Sequence, residues 1–309
     1  MGNLRTAPSL ATSDTMAMSK SATNMQEGAF GVLESSTAPA VSSDAPQPTI
    51  LKVDWLPGRV FTVKDDPDRA LQPHVLPKVL AKEQRWDKDH LSTEAVDVSL
   101  AETGAFRCRD PATFAMLVHG VLLPEECKAL IAMANTKGFT PALLNIGYGR
   151  QQYMPEIRLN QRCIIDEPHV ADLLWQRLQH VIPKEWHGRC AQSVNERLRI
   201  LCYHEPGQVF EAHFDGNFTR RGDHPRAGET SFVTLQVYLN EGFTGGHTSF
   251  ISRDHEKVAK VAPTQGSVLM FSQDLFHEGS PIEDGFKYTL RTEVMYAPLS
   301  VANHHKIMH

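Results

Sequence analysis

Cysteine is scarce in this sequence. Only 5 occur in 309 residues (Cys108, Cys127, Cys163, Cys190 and Cys202), and none falls in a C-x-x-C pair. That is too few, too scattered and odd in number for a disulfide scaffold, and the missing pairs argue against a structural zinc knot. No run of 18 consecutive apolar residues is present, so the sequence offers no candidate transmembrane helix. Basic charge is not in excess either. The 31 Lys and Arg face 36 Asp and Glu, a net charge of −5, whereas nucleic-acid-binding domains usually carry a basic surplus. These absences point to an intracellular, reduced and cytoplasmic chain, with neither nucleic acid nor a membrane span expected. What is present is 41% hydrophobic residues, enough for one sizeable core.

The first 50 residues contain 8 Ser, 6 Thr, 8 Ala and 4 Pro and show no hydrophobic periodicity. Such a stretch cannot bury enough surface to offset its ordering entropy, so 1–50 is expected to be a disordered leader that the chemistry does not need. Met1-Gly2 followed by Thr6 fits the loose myristoylation pattern at Gly2, but the pattern is short. Only Arg5 and Lys20 are basic there, a poor balance for a transit peptide. Residues 51–110 mix short apolar pieces with a charged run from Lys78 to Asp89 that reads as a candidate helix. They are expected to form an extension packed on a main domain over 111–300.

Within that domain, Pro124 opens a segment whose Cys127, Leu130, Ile131 and Ala134 repeat at helical spacing. Glu125 and Glu126 stand in its first turn and Gly138 follows its end. A second helix is expected from about Asp166 and Pro168, with Val170, Leu173, Leu174, Arg177, Leu178 and Val181 on one stripe and Pro183 as its stop. From Leu198 onward the period changes to two. Leu198 to Tyr203, Val209 to His213, Phe232 to Leu239, His247 to Ile251, Ser267 to Phe271 and Lys287 to Tyr296 all read as strands between turn-forming clusters. Six short strands at such spacing imply a sandwich or jelly roll, and helices first with strands after make an α+β arrangement around that β core.

The pattern that carries chemistry is His213-Phe214-Asp215. Residues two apart on a strand face one side, so imidazole and carboxylate converge. Chance alone supplies about one such pair in a chain of this composition. The signal comes from His277, which follows a strand and a short loop. Two His and one carboxylate form the facial set that binds Fe(II) and leaves coordination positions open. Lys287 and Arg291 lie beyond it on one strand face, and a cation buried in a barrel needs an anionic partner. At 3.3 Å per residue the two are about 13 Å apart, so only one can meet a given small carboxylate directly.

The ordered motifs resemble the prolyl 4-hydroxylase-like branch of the 2-oxoglutarate and Fe(II)-dependent dioxygenases over residues 114–299. They are Leu201 to Asp215, Leu235 to Asn240, Gly245 to Phe250, Gly266 to Phe271, His277-Glu-Gly279 and Gly285 to Arg291. The resemblance implies a double-stranded β-helix braced by N-terminal helices, with an iron-binding core over 197–298. It implies His213, Asp215 and His277 as iron ligands, and Tyr203 and Tyr238 as residues whose hydroxyls touch the cosubstrate. Lys287 has the spacing of the family's basic anchor, while Arg291 offers the better fork for a carboxylate; spacing favours Lys287. His247 stands where these hydroxylases carry Glu, so that role does not transfer, and a second metal site built on His247, His255, His304, His305 and His309 is not expected.

The expected cofactors are Fe(II), 2-oxoglutarate as cosubstrate, and ascorbate as reductant. O2 and a primary substrate, either a protein residue or a metabolite, complete the set of partners. The stretch Glu156 to Arg162, with Arg158, Asn160 and Arg162, reads equally as part of the active-site entrance or as a solvated edge strand. A catalytically silent jelly-roll binding module is the rival reading, and the intact ligand set argues against it. A nucleic-acid demethylase is disfavoured by the acidic net charge and by Ala297 standing six residues past Arg291, where a second arginine would be needed.

Overall fold

Alternation of side chains divides this chain between a buried apolar layer and a polar interior. In Arg197–Tyr203, the even positions Leu198, Ile200 and Cys202 join the main core, whereas Arg199, Leu201 and Tyr203 turn to the other face. The computed structural model describes residues 45–62, 75–81, 86–104, 113–222 and 224–299. Expectations for residues 1–44, including Gly2, for Cys108 and for His304, His305 and His309 lie outside the described residues.

Two antiparallel sheets carry the architecture. Their principal strands are β1 Ser92–Val96, β2 Ala115–His119, β3 Gln161–Asp166, β4 Arg189–Val194, β5 Arg197–Tyr203, β6 Phe210–His213, β7 Thr230–Tyr238, β8 Thr248–Ile251, β9 Lys257–Val261, β10 Val268–Ser272, β11 His277–Gly279 and β12 Lys287–Pro298. The larger sheet runs β1-β2-β10-β7-β12-β5-β3 and ends on the short strand Thr140–Pro141; β4 pairs with the far half of β12. The smaller sheet runs β6-β11-β8-β9. From β5 onward the chain steps between the two sheets, which is the winding of a jelly roll.

Two helices, α1 Pro124–Lys137 and α2 Pro168–Leu178, cover the outer face of the larger sheet. Their Cys127, Leu130, Ile131, Val170, Leu174 and Leu178 share one apolar cluster with Ile165, Leu198, Ile200, Leu235 and Leu290 from the strands beneath. A buried ion pair ties the helices together. Arg177 Nη1 and Nη2 donate to Glu126 at 2.7 and 2.8 Å, Nη1 also reaches the Val121 carbonyl, and the Glu126 carboxylate accepts from Leu123 N at the start of α1. Glu126 is 0% exposed, so removing it leaves a buried guanidinium without its partner. Glu126→Ala is therefore expected to cost about 3–5 kcal/mol in denaturant unfolding. A change below about 1 kcal/mol, the scale of an exposed pair, would contradict this burial.

Several sequence expectations shift. Asp166 is the last residue of β3, and α2 starts at Pro168 with Glu167 accepting from His169 N. The helix ends at Leu178, ahead of Pro183, because a turn closes on the Leu178 carbonyl from Val181 and Ile182. The charged run contains only the turn Lys78–Ala81 and a 3-10 turn at Lys88–His90 among the described residues. Strands also precede the helices: β1 pairs with β2 at the sheet edge, so the larger sheet draws in part of 51–110. Among the described residues, no helix is long and apolar enough to cross a membrane.

Candidate active site

His213 ends β6 and His277 opens β11, and the two residues are direct partners across that pair of strands. Asp215 lies just past β6, where its backbone N donates to the Gln273 carbonyl. One ligand atom from each of the three falls within 4.8 Å of the others, and they are the one such metal-ready group among the described residues. The rings are oriented by the backbone. His213 Nδ1 lies 2.8 Å from the Glu211 carbonyl and His277 Nδ1 lies 2.9 Å from the Leu275 carbonyl. A carbonyl can only accept, so Nδ1 carries the proton and each Nε2 keeps its lone pair. Both Nε2 atoms face Asp215, at 3.6 and 3.9 Å.

Asp215 is held as firmly. Thr234 Oγ1 donates to Oδ2 at 2.6 Å, and Arg291 Nη2 meets Oδ1 at 2.7 Å. Burial alone would raise its carboxyl, but Arg291 and the two imidazoles override that and hold it well below the usual range. Burial, then the neighbouring His213, pushes the His277 imidazole down to about 4. Two neutral nitrogens and one anionic oxygen, each backed by a further hydrogen bond, fit a first-row divalent metal such as Fe(II).

The same cavity holds Lys287, which is 2% exposed. Its Nζ donates to the Gly246 carbonyl at 2.6 Å and lies 4.9 Å over the ring of Tyr203, its partner residue across β5 and β12. No carboxylate stands within ion-pair distance of it among the described residues, and burial pushes its ammonium down to about 7. Gly246 is needed there: its φ is +64, and a Cβ would come within 3.1 Å of the Lys287 side chain. Tyr203 also lines the cavity, and burial pushes its phenol up to about 12. Tyr238 does not line it. Its hydroxyl donates instead to Thr248 Oγ1 at 2.8 Å, and Thr248 is the residue on the cavity wall.

Lys287 and Arg291 share the inward face of β12, but they meet different groups. Arg291 pairs with Asp215 and, at 3.6 Å, with Glu293, whose carboxylate is also held by Arg199 at 2.9 Å. The stretch around Arg158 is not a solvated edge. Arg158, Asn160 and Arg162 are all buried, and the Leu159 and Glu211 amides bond across to the Val209 and Ile157 carbonyls, which lays this stretch against β6. Burial, aided by Arg162, Arg291 and Arg199, pushes the Arg158 guanidinium down to about 9. Sequence reasoning misses Thr234, Thr248 and Phe210. Thr248 and Phe210 have signals in the Gly245 to Phe250 and Leu201 to Asp215 motifs; Thr234 depends on which face of its strand turns inward. His247 and His255 join no metal-ready group among the described residues.

Two imidazoles and a carboxylate close together in a jelly roll, with a buried lysine nearby, form a candidate metal site. Residues 198–292 match the family model described as the 2OG-Fe(II) oxygenase superfamily. Those residues form a 2OG-Fe(II) oxygenase domain, and the chain is a 2-oxoglutarate-dependent dioxygenase; the matched family model implies Fe(II) and 2-oxoglutarate as cofactor and cosubstrate. No curated protein matches the chain. Similar solved structures include the viral collagen prolyl hydroxylase of Paramecium Bursaria Chlorella virus-1 (21% identity, TM-score 0.41, 59% of this chain and 95% of that one). A Pseudomonas putida prolyl-4-hydroxylase is similar at 19% identity and TM-score 0.39, over 66% of this chain and 91% of that one. A Trichoplax adhaerens prolyl hydroxylase, in complex with a hypoxia inducible factor peptide fragment, is similar at 18% identity and TM-score 0.39, over 52% and 70%.

Proposed function

We propose that the enzyme hydroxylates a C–H bond of a protein residue, of prolyl type, or of a small molecule, with His213, Asp215 and His277 holding Fe(II). The observation that carries this reading is the convergence of two tautomer-fixed imidazoles and one carboxylate beside a buried lysine that has no carboxylate of its own among the described residues. When bound, the iron and 2-oxoglutarate supply O2 activation: one oxygen atom enters the substrate hydroxyl, the other enters succinate, and CO2 leaves. The chain's own residues bind and orient. The Glu211 and Leu275 carbonyls keep protons on Nδ1, Thr234 and Arg291 fix the carboxylate of Asp215, and Lys287 receives the distal carboxylate of 2-oxoglutarate. Phe210 and Phe271 pack against the ligand imidazoles and limit water there. A prolyl residue leads the substrate candidates because the motif order resembles the prolyl 4-hydroxylase-like branch. Ascorbate is proposed as the reductant that keeps the metal ferrous.

The test is succinate release from 2-oxoglutarate under Fe(II) and O2, with a peptide library and a metabolite extract compared as sources of the primary substrate. No succinate with either source, from protein that binds the metal, would sink the reading.

Division of labour between the two cations gives a separate expectation. Arg291→Gln loosens Asp215, so metal affinity should fall by about 10- to 100-fold. The 2-oxoglutarate constant, read at saturating metal, should stay within about three-fold, because no direct charge-assisted bond to it is lost. A rise equal to that of a Lys287 variant would mean that both cations meet the cosubstrate.

A further inference from the structure

We propose that Arg158 binds a carboxylate of the primary substrate, making that substrate a carboxylic acid held by a guanidinium stacked on the phenyl ring that covers His213. This deepens the oxygenase reading above and rests on it. The Arg158 guanidinium lies 4.3 Å over the Phe210 ring, and Phe210 stacks on His213 at 3.7 Å with an interplanar angle of 23°. A planar cation so placed is held in one orientation next to the reacting site. Arg158 and Phe210 are bridge partners, so their side chains leave the backbone on the same side, while Leu159 turns outward and is exposed.

Charge points to the ligand. Arg158 is only 9% exposed, and buried cations are ordinarily paired. Among the described residues no carboxylate lies within ion-pair distance of it. The carboxylates in and around the cavity already have cations: Asp215 has Arg291, Glu293 has Arg199 and Glu278 has Lys257. Lys287 is assigned to 2-oxoglutarate, which leaves Arg158 without a counterion among the described residues of this part of the barrel. One guanidinium calls for one negative charge.

Hydrogen bonding narrows the class further. Nε donates to Asn160 Oδ1 at 3.0 Å, Nη1 reaches the Leu143 carbonyl only at 3.4 Å, and Nη2 has no acceptor among the described residues. Nη1 keeps a second N–H beyond its long bond to Leu143, and with Nη2 it offers two parallel donors that match the two oxygens of a carboxylate. Arg162 adds positive charge beside it, whereas Arg199 and Arg291 are offset by Glu293 and Asp215; the nearest added charge thus favours an anion and repels a cation.

The test uses the full chain loaded with Mn(II) and 2-oxoglutarate without O2, and reads binding by calorimetry. N-acetyl amino acids and short straight-chain monocarboxylic acids are titrated beside the primary amide of each, and a peptide with one internal glutamate beside its glutamine counterpart. At least one acid should bind about ten-fold or more tighter than its amide. The peptide pair distinguishes a side-chain carboxylate from a free acid as the source. In Arg158→Gln the preference should shrink to about two-fold or less, and Arg158→Lys should restore part of it, while the 2-oxoglutarate constant moves less than about three-fold in both. The idea is overturned if no acid is preferred over its amide by the unsubstituted protein, a comparison that needs no variant to fold. It is equally overturned if the preference survives in Arg158→Gln. Failure of the unsubstituted protein to bind 2-oxoglutarate would instead remove the oxygenase reading beneath it.

Discussion

His277→Ala is expected to lose stoichiometric Fe(II) binding and, with it, turnover by a factor of about 10³ or more, since a facial site reduced to two ligands no longer holds the metal in place. The imidazole donates Nδ1–H to the Leu275 carbonyl and packs against Phe271, so the rest of the barrel does not depend on it for a charge. Circular dichroism should show the strands intact, with a stability loss of about 1–3 kcal/mol from the vacated volume and the carbonyl left without a donor. Metal content after equilibrium dialysis and succinate release under saturating 2-oxoglutarate are the two measurements. Stoichiometric iron retained in this variant would sink the ligand assignment. Should activity fall together with the fold, His277→Gln, closer in volume, separates the two effects.

Lys287→Met should move function and stability in opposite directions. Loss of a charge-assisted contact to the distal carboxylate raises the 2-oxoglutarate constant by about 10- to 100-fold. The ligand-free fold, meanwhile, is relieved of a buried ammonium whose pKa is pushed down to about 7. A base with a folded pKa below its unfolded value destabilises the fold wherever the unfolded chain is protonated and the folded group must follow. That cost is fully present below pH 7 and fades as pH rises toward the ordinary lysine value of 10.5. At about 1.4 kcal/mol per unit, Lys287→Met should gain roughly 2–5 kcal/mol at neutral pH and much less near pH 10. Affinity for 2-oxoglutarate in the unsubstituted protein should likewise weaken above pH 7, because binding then requires proton uptake by Lys287. Thermal unfolding and cosubstrate titration across pH 6–10 test both slopes. A variant no more stable than its parent at pH 7 would mean that water or another group solvates this ammonium.

Much of this arrangement is legible in the sequence because period-two alternation is strong from residue 198 onward. Strands such as Arg197–Tyr203 and Lys287–Pro298 announce both their existence and which residues share a face. Spacing alone therefore places Lys287 and Arg291 together, but it does not give their different partners. Those partners, Gly246 and Asp215, come from loops whose approach is fixed by long-range pairing. Tyr238 shows the same limit: its face is readable, but Thr248 on the facing sheet takes its hydroxyl and lines the cavity instead. The stretch around Arg158 is ambiguous in sequence for a related reason. Five polar residues in seven look solvated until the 157–159 backbone is known to lie against β6. The edge strand β1 opens with Ser, Thr and Glu, all exposed, and gives almost no hydrophobic signal.

The two faces of β12 make adaptation separable. Lys287, Thr289, Arg291 and Glu293 face the interior chemistry, while Tyr288, Leu290 and Val294 belong to the helix-backed core. A lineage under selection for heat tolerance can vary the second set without meeting the substrate, and one selected for a new substrate can vary the first without loosening the core. A single-residue insertion within this strand has no such freedom, since it would exchange the two sets beyond that point and forfeit both at once.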